Sequence, residues 1–533
     1  MIERQQPKGC CLFKLKNLNF ENLEKMLKRA LIVFHSCKIV LFAVSVGLAF
    51  SLAGCGGGNG GGTVNPEPET TKSSSCTLSN FQILTTANSG LSVNAAAVIK
   101  QIQGVNMVFI TVPDGFSLSS VKPTFSISSK SSMTINGNVA TSASTAFDFS
   151  NVATAVVTAE NGTNKTTYNI LVRNGNATID NEVYAIMASY NIPGVSVAAT
   201  KNEALVYSAG YGFADVAAKT RTTPNMLFRL ASMSKQQTVL CIMTLVEEGR
   251  LSLDDYLFAP AGANGTGSKE GILYSMYSGT HANGVDKMKI RHFLSHTSGW
   301  QYATTGGADP VFTGDSRFYG KSLTDRVTYM VANVATSYTP GSYYSYYNLD
   351  YCVLGQVIEK LTGKDYETYL RSVVAKAGIT DMWVAKTLKT NKRSNEVTYY
   401  SQTSGNDGYS NDMEVIKACG GVIASAPELM QLLCAEDYGT VVPDILKSGS
   451  LDQIYSIVKA TDNYNYGFGW HIGHSAFGTW ASYHGGDLSG TATLWVRGNN
   501  GINAVLLCNS RNNDSGFDTA LYYAIDNIRT AIK

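Results

Sequence analysis

The spacing of apolar and polar positions changes character along the chain, and each change marks a segment. Ile39 to Ala53 is an uncharged apolar run of 15 residues, shorter than the ~20 that a membrane-spanning helix requires. From Gly56 to Ser75 the apolar signal gives way to GGGNGGGTVNPEPETTKSSS, where Gly, Pro and Ser oppose packing and predict a flexible tether. Residues 76–174 show short alternating runs and no helical periodicity of useful length. Phe109-Ile110-Thr111-Val112 is one such run, while Ala155 to Ala159 and Thr167 to Val172 flank Asn161-Gly162. Alternation marks strands with one face buried. An Asn-Gly between two of them signals a hairpin, because both residues tolerate positive φ. About 100 residues of short strands predict an all-β sandwich of immunoglobulin-like type.

Beyond residue 178 both periods occur. Asn181 to Tyr190 reads as a helix, and Val195 to Ala199 and Ala204 to Tyr207 read as strands joined by a turn at Lys201-Asn202-Glu203. Ala492 to Val496 and Ile502 to Cys508 read as strands around Asn499-Asn500-Gly501, and Phe517 to Ile532 as a closing amphipathic helix. Hairpins at both ends predict one antiparallel sheet built from both termini, flanked by helices, with a mainly helical region inserted between. The expected organisation is multidomain: a leader at 1–54, a tether at 55–75, an all-β domain at 76–174 and an α/β domain at 178–533.

Composition narrows the function classes. With 44% apolar and 15% charged residues, the chain can bury a large core. There are 42 Lys and Arg against 40 Asp and Glu; the first 54 residues hold 8 of the former and 3 of the latter, so the remainder is mildly acidic. A nucleic-acid binder needs a basic face to neutralise phosphates, so no nucleic-acid partner is expected. Four of the ten Cys fall in the first 55 residues. The others, Cys76, Cys241, Cys352, Cys419, Cys434 and Cys508, are widely spaced without a C-x-x-C and read mostly as small buried apolar residues. A disulfide stays open in an oxidising compartment. His471 and His474 form an H-x-x-H without a credible third ligand; no metal and no organic cofactor is expected.

Lys28, Arg29 and Lys38 precede the apolar run, which gives the layered layout of a secretory signal. Met26 is an alternative start. The run ends Leu52-Ala53-Gly54-Cys55, which resembles the lipobox of bacterial lipoproteins, where the Cys is diacylated and becomes the first residue. That resemblance implies a lipid anchor at Cys55 and a cell-envelope location, on the periplasmic or cell-surface face of a membrane. Two acyl chains suffice for stable anchoring. The alternative is a chance Cys after a signal peptide. The all-β segment carries no catalytic group and reads as a spacer, with glycan or protein binding as the other reading.

Three short motifs carry candidate chemistry. The first is Phe228-Arg229-Leu230-Ala231-Ser232-Met233-Ser234-Lys235, running into a nearly all-apolar helix that stops at Gly249. On a helix, positions three apart share a face, so Ser232 and Lys235 meet. Burial at the mouth of the core lowers the amine's pKa, and an amine that accepts a proton turns a weak hydroxyl nucleophile into a useful one. S-x-x-K alone also describes an N-cap Ser beside a surface Lys; Ser119 to Lys122 and Ser456 to Lys459 repeat the spacing. The second motif contains Tyr346 and Asn348, a Y-x-N before a helical run that stops at Gly363. In an extended or turn segment, residues two apart point the same way, which projects a phenol for general acid–base work and a carboxamide for positioning into one site. By itself it also fits a Tyr-rich surface loop. The third is Tyr483-His484-Gly485-Gly486-Asp487 before the strand at Ala492. The two Gly leave a strand edge open to a ligand. The Asp487 N–H is placed to pair with that of Ser232 as an oxyanion hole, and His484 to offer a donor, or a charge if protonated. A bland His-Gly-Gly turn is the other reading.

In order and local setting the three motifs resemble the serine β-lactamase and penicillin-binding protein superfamily, which includes class C β-lactamases, D-alanyl-D-alanine carboxypeptidases and related esterases. Ile290-Arg291-His292-Phe293-Leu294-Ser295-His296-Thr297-Ser298-Gly299, Gly420-Gly421-Val422-Ile423-Ala424-Ser425 and Tyr466-Gly467-Phe468-Gly469-Trp470 resemble further stretches of that family. The resemblance covers about residues 178–533. It implies that Ser232 is the acylated nucleophile, Lys235 assists its deprotonation, Tyr346 is the general acid/base and Asn348 positions the substrate. It also implies substrate contacts at His484, Gly485, Gly486 and Asp487, and His292 and His296 holding a segment beside the site. His484 stands where many β-lactamases have Lys, a departure closer to the D-peptidase branches. The expectation is a membrane-anchored serine hydrolase working through an acyl-enzyme on a D-amino-acid peptide of cell-wall type, a β-lactam or a small ester. Its rival is a non-catalytic surface protein that uses the same fold and the β-sandwich to bind peptidoglycan or a partner.

Overall fold

The computed structural model describes residues 71–312, 315–461 and 464–532. The signal, the Cys55 lipid anchor and most of the tether lie outside them. No helix among the described residues is long and apolar enough to cross a membrane.

The first part is all-β. β1 (Leu78–Ile83), β2 (Ala95–Ala96) and β5 (Pro123–Ile127) form a three-stranded sheet in the order β2-β1-β5. β3 (Val98–Ile102), β4 (Val105–Val112), β6 (Ser132–Ile135), β7 (Asn138–Val139), β8 (Ala153–Thr158) and β9 (Lys165–Asn174) form a six-stranded one, order β3-β4-β9-β8-β6-β7. Alternate residues such as Phe81, Ile83, Val108, Ile110, Ile170 and Val172 meet in one core drawn from both sheets. The Asn161-Gly162 hairpin forms between β8 and β9, with Thr158 opposite Lys165. Only Gly162 takes the left-handed conformation there, at φ +74°.

Two residues separate this part from the next: β9 ends at Asn174 and the helix α1 (Ala177–Tyr190) starts from an Asn176 cap. The opposite faces of β4 and β9 supply Met107, Phe109 and Leu171 to a core shared with α1. Phe109 stacks on Tyr184 at 5.0 Å. Asp180, fully buried, accepts from the Arg173 guanidinium at 2.8 Å, the Tyr207 and Tyr211 phenols at 2.6 and 2.7 Å, and the Thr111 hydroxyl at 2.7 Å. The two parts share apolar core and a hydrogen-bonded charge network around Asp180.

The second part is built on a nine-stranded antiparallel sheet. Its strands are β10 (Gly194–Lys201), β11 (Ala204–Asp215), β12 (Thr220–Arg221), β17 (Lys459–Thr461), β18 (Tyr464–Tyr466), β19 (His471–Ile472), β20 (Trp480–Leu488), β21 (Thr491–Gly498) and β22 (Ile502–Cys508), in the order β12-β11-β10-β22-β21-β20-β19-β18-β17. β10 from the beginning pairs with β22 from the end, Val195 opposite Cys508, as expected of a sheet closed by both termini. The β10–β11 turn narrows to Asn202-Glu203, both at positive φ. Apart from Asn503, β22 is apolar because both its faces are covered. Ala504, Leu506 and Cys508 face α1 and the last helix α10 (Phe517–Ala531), while Val505 and Leu507 join the larger core.

That larger core holds the inserted helical region: α2 (Ser234–Glu247), α3 (Ile290–Leu294), α4 (Leu323–Asn333), α5 (Asn348–Thr362), α6 (Tyr366–Val374), α7 (Met413–Ile416), α8 (Ala426–Cys434) and α9 (Ser448–Tyr455). Short strands β13 (Phe228–Arg229), β14 (Trp383–Val384) and β16 (Val422–Ala424) form a small sheet at its base, and β15 (Tyr400–Ser401) pairs with β23 (Ser510–Arg511).

Candidate active site

α2 runs through the middle of the core, and residues Ser234 to Leu245 are all buried. A single 3₁₀ turn, Ala231–Met233, leads into it from β13. Ser232 therefore stands just before the helix and Lys235 in its first turn. Ala231 takes φ +50°, a left-handed conformation that costs a residue with a Cβ about 1–2 kcal/mol. Close packing holds it there. A Cβ on Gly486 would lie 2.3 Å from the Leu230 carbonyl and 3.0 Å from the Ala231 Cβ, so β20 reaches the turn only because residue 486 has none. The Thr493 hydroxyl fixes the same carbonyl at 2.8 Å.

Lys235 is fully buried. Its Nζ donates to Asn348 Oδ1 at 2.8 Å and to the Cys419 carbonyl at 2.9 Å, and lies 4.8 Å from the centre of the Tyr346 ring. Burial is the largest influence on the amine and pulls its pKa below the usual Lys value. Tyr346 and Asn348 sit on either side of the α5 N-terminus, where Tyr347 is the capping residue and Asn348 the first helical one. Burial pushes the Tyr346 phenol far up, while its hydrogen bond with Ser232 works the other way. A hydroxyl, an amine and a phenol thus meet from α2 and the α5 N-terminus. Ser119 and Ser456, the Ser of the two other S-x-x-K spacings, are exposed on the surface.

β20 forms the opposite wall. β19 pairs with it only at Ser482 and Tyr483, so from His484 to Leu488 no other described strand covers that edge. β20 packs against the turn carrying Ser232. Gly485 has room, with only the Thr493 carbonyl near a notional Cβ at 3.6 Å. The Asp487 side chain turns outward to Arg511 at 2.8 Å.

His484 differs from the expected donor or cation. Its Nδ1 lies 2.6 Å from the Gly485 carbonyl, which only accepts, so Nδ1 carries the proton. Nε2 then accepts from the Tyr466 phenol at 3.2 Å. Burial, followed by His471 and Lys235, drives its pKa well below the ordinary His value. The ring is neutral and both its nitrogens are engaged. His296, at φ +54°, packs 4.3 Å from the Tyr346 ring and accepts the Tyr347 N–H at Nδ1. His292 accepts the Lys289 N–H at the start of α3. His471 stacks on Tyr483 at 5.1 Å, and the described residues contain no cluster of three or more His, Cys, Asp or Glu fit to hold a metal.

Sequence reasoning missed Asp309. It lies in the loop after the 3₁₀ turn Tyr302–Thr305, and its Oδ2 accepts the Asn348 Nδ2–H at 2.8 Å. Nothing in its neighbours' pattern marks it, because its importance comes from a partner 39 residues away. Tyr466 was visible within Y-G-x-G-W, but its role against His484 was not.

Several known proteins are similar to this chain. Protein flp of Staphylococcus aureus (strain NCTC 8325 / PS 47) is 28% identical over 233 residues, 44% of this chain and 41% of that protein. This chain thus spans about two-fifths of that relative's length. Penicillin-binding protein 4* of Bacillus subtilis (strain 168) is 23% identical over 356 residues, 62% of this chain and 71% of that protein. Among solved structures, the D-amino acid amidase from Ochrobactrum anthropi SV3 superposes with a TM-score of 0.53 at 22% identity, over 67% of this chain and 98% of that one. The penicillin-binding protein homologue from Pyrococcus abyssi does so at 0.53 and 21%, over 65% and 76%. At such identities the structural likeness speaks for the fold. Residues 179–527, well over half of the sequence, match the Beta-lactamase family. Sheet, inserted helices and family match agree, and the chain belongs to the Beta-lactamase family, within the serine β-lactamase and penicillin-binding protein superfamily.

Proposed function

We propose that this protein is an extracytoplasmic serine hydrolase that forms an acyl-enzyme on Ser232. The observation that carries the reading is the buried Lys235 amine, held by Asn348 and the Cys419 carbonyl beside a phenol hydrogen-bonded to Ser232. Ser232 Oγ attacks the acyl carbon. Its proton passes to the Tyr346 oxygen as the phenol's own proton moves toward the Lys235 amine. The resting charges favour this relay over a standing phenolate, since burial raises the phenol's pKa and lowers the amine's. The Ser232 and Asp487 N–H groups are the proposed donors to the tetrahedral oxyanion. The proton returns through Tyr346 to the leaving group, and water releases the acyl group by the same path in reverse.

Substrate candidates are a D-amino-acid peptide derived from peptidoglycan, a β-lactam and a small ester. The charge layout favours the last, and amides without a carboxylate. Both of the first two bring a carboxylate that wants a cation. His484 is neutral, Lys235 is buried on its own partners, and Arg511 is paired with Asp487 and Asp518.

The same reading places the enzyme in the bacterial cell envelope, anchored through Cys55, with the all-β part (76–174) as an immunoglobulin-like module between anchor and catalytic part (178–533). The residue order around Cys55 and the two-sheet core support it. Fractionation tests the anchor: Cys55→Ala should move the protein from membrane to soluble fraction.

The deciding experiment treats folded protein with a fluorophosphonate and a fluorescent penicillin. An adduct on Ser232, absent in Ser232→Ala, supports the reading; no adduct from either probe leaves a non-catalytic binding protein. Nitrocefin, p-nitrophenyl acetate and D-Ala-D-Ala peptides then rank the substrates, with the ester expected to turn over fastest.

A further inference from the structure

We propose that Asp309 is a positioning residue for the acylation step, fixing the Asn348 carboxamide so that its oxygen, not its nitrogen, faces Lys235. This rests on the acyl-enzyme reading above and extends it to a residue outside the three motifs.

A carboxamide is nearly symmetric in shape, and its orientation is decided by its partners. Asn348 has one on each side. Nδ2 points to Asp309 Oδ2 at 2.8 Å, and Oδ1 receives Lys235 Nζ at 2.8 Å. Lys235 donates, so it faces the oxygen well. If the amide turned over, its NH₂ would meet the Lys235 amine, donor against donor when the amine is charged and occupying its lone pair when it is neutral. Asp309 opposes that turn from the far side when ionised, a state that burial disfavours and the Asn348 and Val311 N–H groups and Lys235 favour, because a carboxylate only accepts and rejects an oxygen facing it.

The loop gives Asp309 the means to hold this line. Its Oδ1 accepts the Val311 N–H at 3.1 Å and its Oδ2 also receives the Tyr302 phenol at 3.4 Å. The carboxylate is tied to its own backbone and presented to Asn348 rather than swinging in solvent. The consequence lands on Nζ. With two hydrogens directed at Asn348 Oδ1 and the Cys419 carbonyl, one tetrahedral position on Nζ remains, and the centre of the Tyr346 ring lies 4.8 Å away. That position is the lone pair when the amine is neutral, and it is where the relayed proton arrives.

Charge adds a separate effect that sets the pH range rather than the geometry. Asp309 is one of the groups that hold Lys235's pKa up against burial, with Cys419, Cys352 and Asp350. Toward the same amine, His296 and His484 are neutral rings. Around Asp309 itself stand Tyr302, Tyr346 and Tyr347, phenols that burial keeps protonated.

Asp309→Asn is the diagnostic variant: it keeps the shape but can offer NH₂ to Asn348 and so permit the turned amide. Asp309→Ala removes the partner altogether. Single-turnover acylation by p-nitrophenyl acetate should fall about 10-fold in Asp309→Asn and about 100-fold in Asp309→Ala, at or below the lower end of the roughly 10²–10⁴-fold that a proton-transfer group itself contributes, as befits a residue acting through another. KM should stay within about twofold, because the loss is in the chemical step. In Asp309→Asn the pH of half-maximal acylation should move down, since removing the carboxylate lets Lys235 lose its proton at lower pH. Acylation within about twofold of wild type in Asp309→Asn, or a loss confined to KM with an unmoved pH midpoint, overturns the assignment. If Asp309→Ala does not fold, Asp309→Asn alone decides. Wild type that is acylated while Asp309→Asn matches it overturns only the role of Asp309; wild type that no probe labels overturns the acyl-enzyme reading and this one with it.

Discussion

Gly486 passes the Leu230 carbonyl so closely that a Cβ would lie 2.3 Å from it. The strand forming one wall of the site and the turn carrying Ser232 are thereby pressed together through the one residue type that has no side chain. A Cβ there would also lie 2.2 Å from the Thr493 hydroxyl, so the clash is with backbone and a pinned side chain, neither free to yield. Gly486→Ala should cost about 1–3 kcal/mol, as overpacking does, and displace Ser232 enough to abolish labelling by a fluorophosphonate. Gly485→Ala, with its nearest neighbour at 3.6 Å, should leave thermal unfolding nearly unchanged. Equal melting temperatures for the two variants would show that the close approach does not constrain the site.

Tyr346→Phe keeps the ring against His296 and Lys235 but removes the hydroxyl bonded to Ser232. Acylation should drop about 10²–10⁴-fold with little change in the unfolding midpoint. Lys235→Ala should lose at least as much, because the final proton acceptor is gone. A pure KM effect in either variant would mean a binding role.

The pH dependence has a definite sign. Lys235's pKa is held below the usual Lys value and His484's well below the usual His value, both first by burial. Acylation should rise with pH through the lowered Lys235 value and show no step near 6.5, because His484 is already neutral there. Stability should behave differently. His292 and His471 are each pushed down to about 4, chiefly by burial, so they bind more protons in the unfolded chain than in the folded one between pH 6.5 and about 4. The contribution of these two rings is full above that window and is lost as pH drops through it, against the opposite contribution of Glu436, whose carboxyl burial raises to about 8. Replacing His292 and His471 by Gln should therefore remove a component that falls with pH. Urea midpoints of both proteins measured from pH 7 to pH 4 check this; profiles of the same shape would place these rings in solvent.

Asp180 accepts from Arg173, Tyr207, Tyr211 and Thr111 at the junction of the two parts. Asp180→Ala strands a part-buried guanidinium beside two phenols, so it should cost up to about 3–5 kcal/mol. Wild type should unfold in one thermal transition, since β4, β9 and α1 share a core. The variant should separate the β-part's melting from the rest while Ser232 labelling persists. A single unshifted transition would show that the junction contributes little.

The sequence alone determined what depends on near neighbours. Alternation set out β8 and β9, apolar runs beside turns set out β10 and β22, and an apolar helix capped by Gly249 or Gly363 marked α2 and α5, because burial leaves its pattern in the residues that do the burying. Ser232, Lys235, Tyr346 and Asn348 came together as a set only through the resemblance of their motifs, in order and local setting, to the superfamily. Only tertiary structure decided which groups face one another. The neutral state of His484 follows from the Gly485 carbonyl and the Tyr466 phenol. The contact of Asp309 with Asn348 and the latch at Asp180 likewise join segments brought together by packing. A hydrogen bond or a desolvated charge between distant segments leaves no period in either, so it becomes legible only when the chain has closed around it.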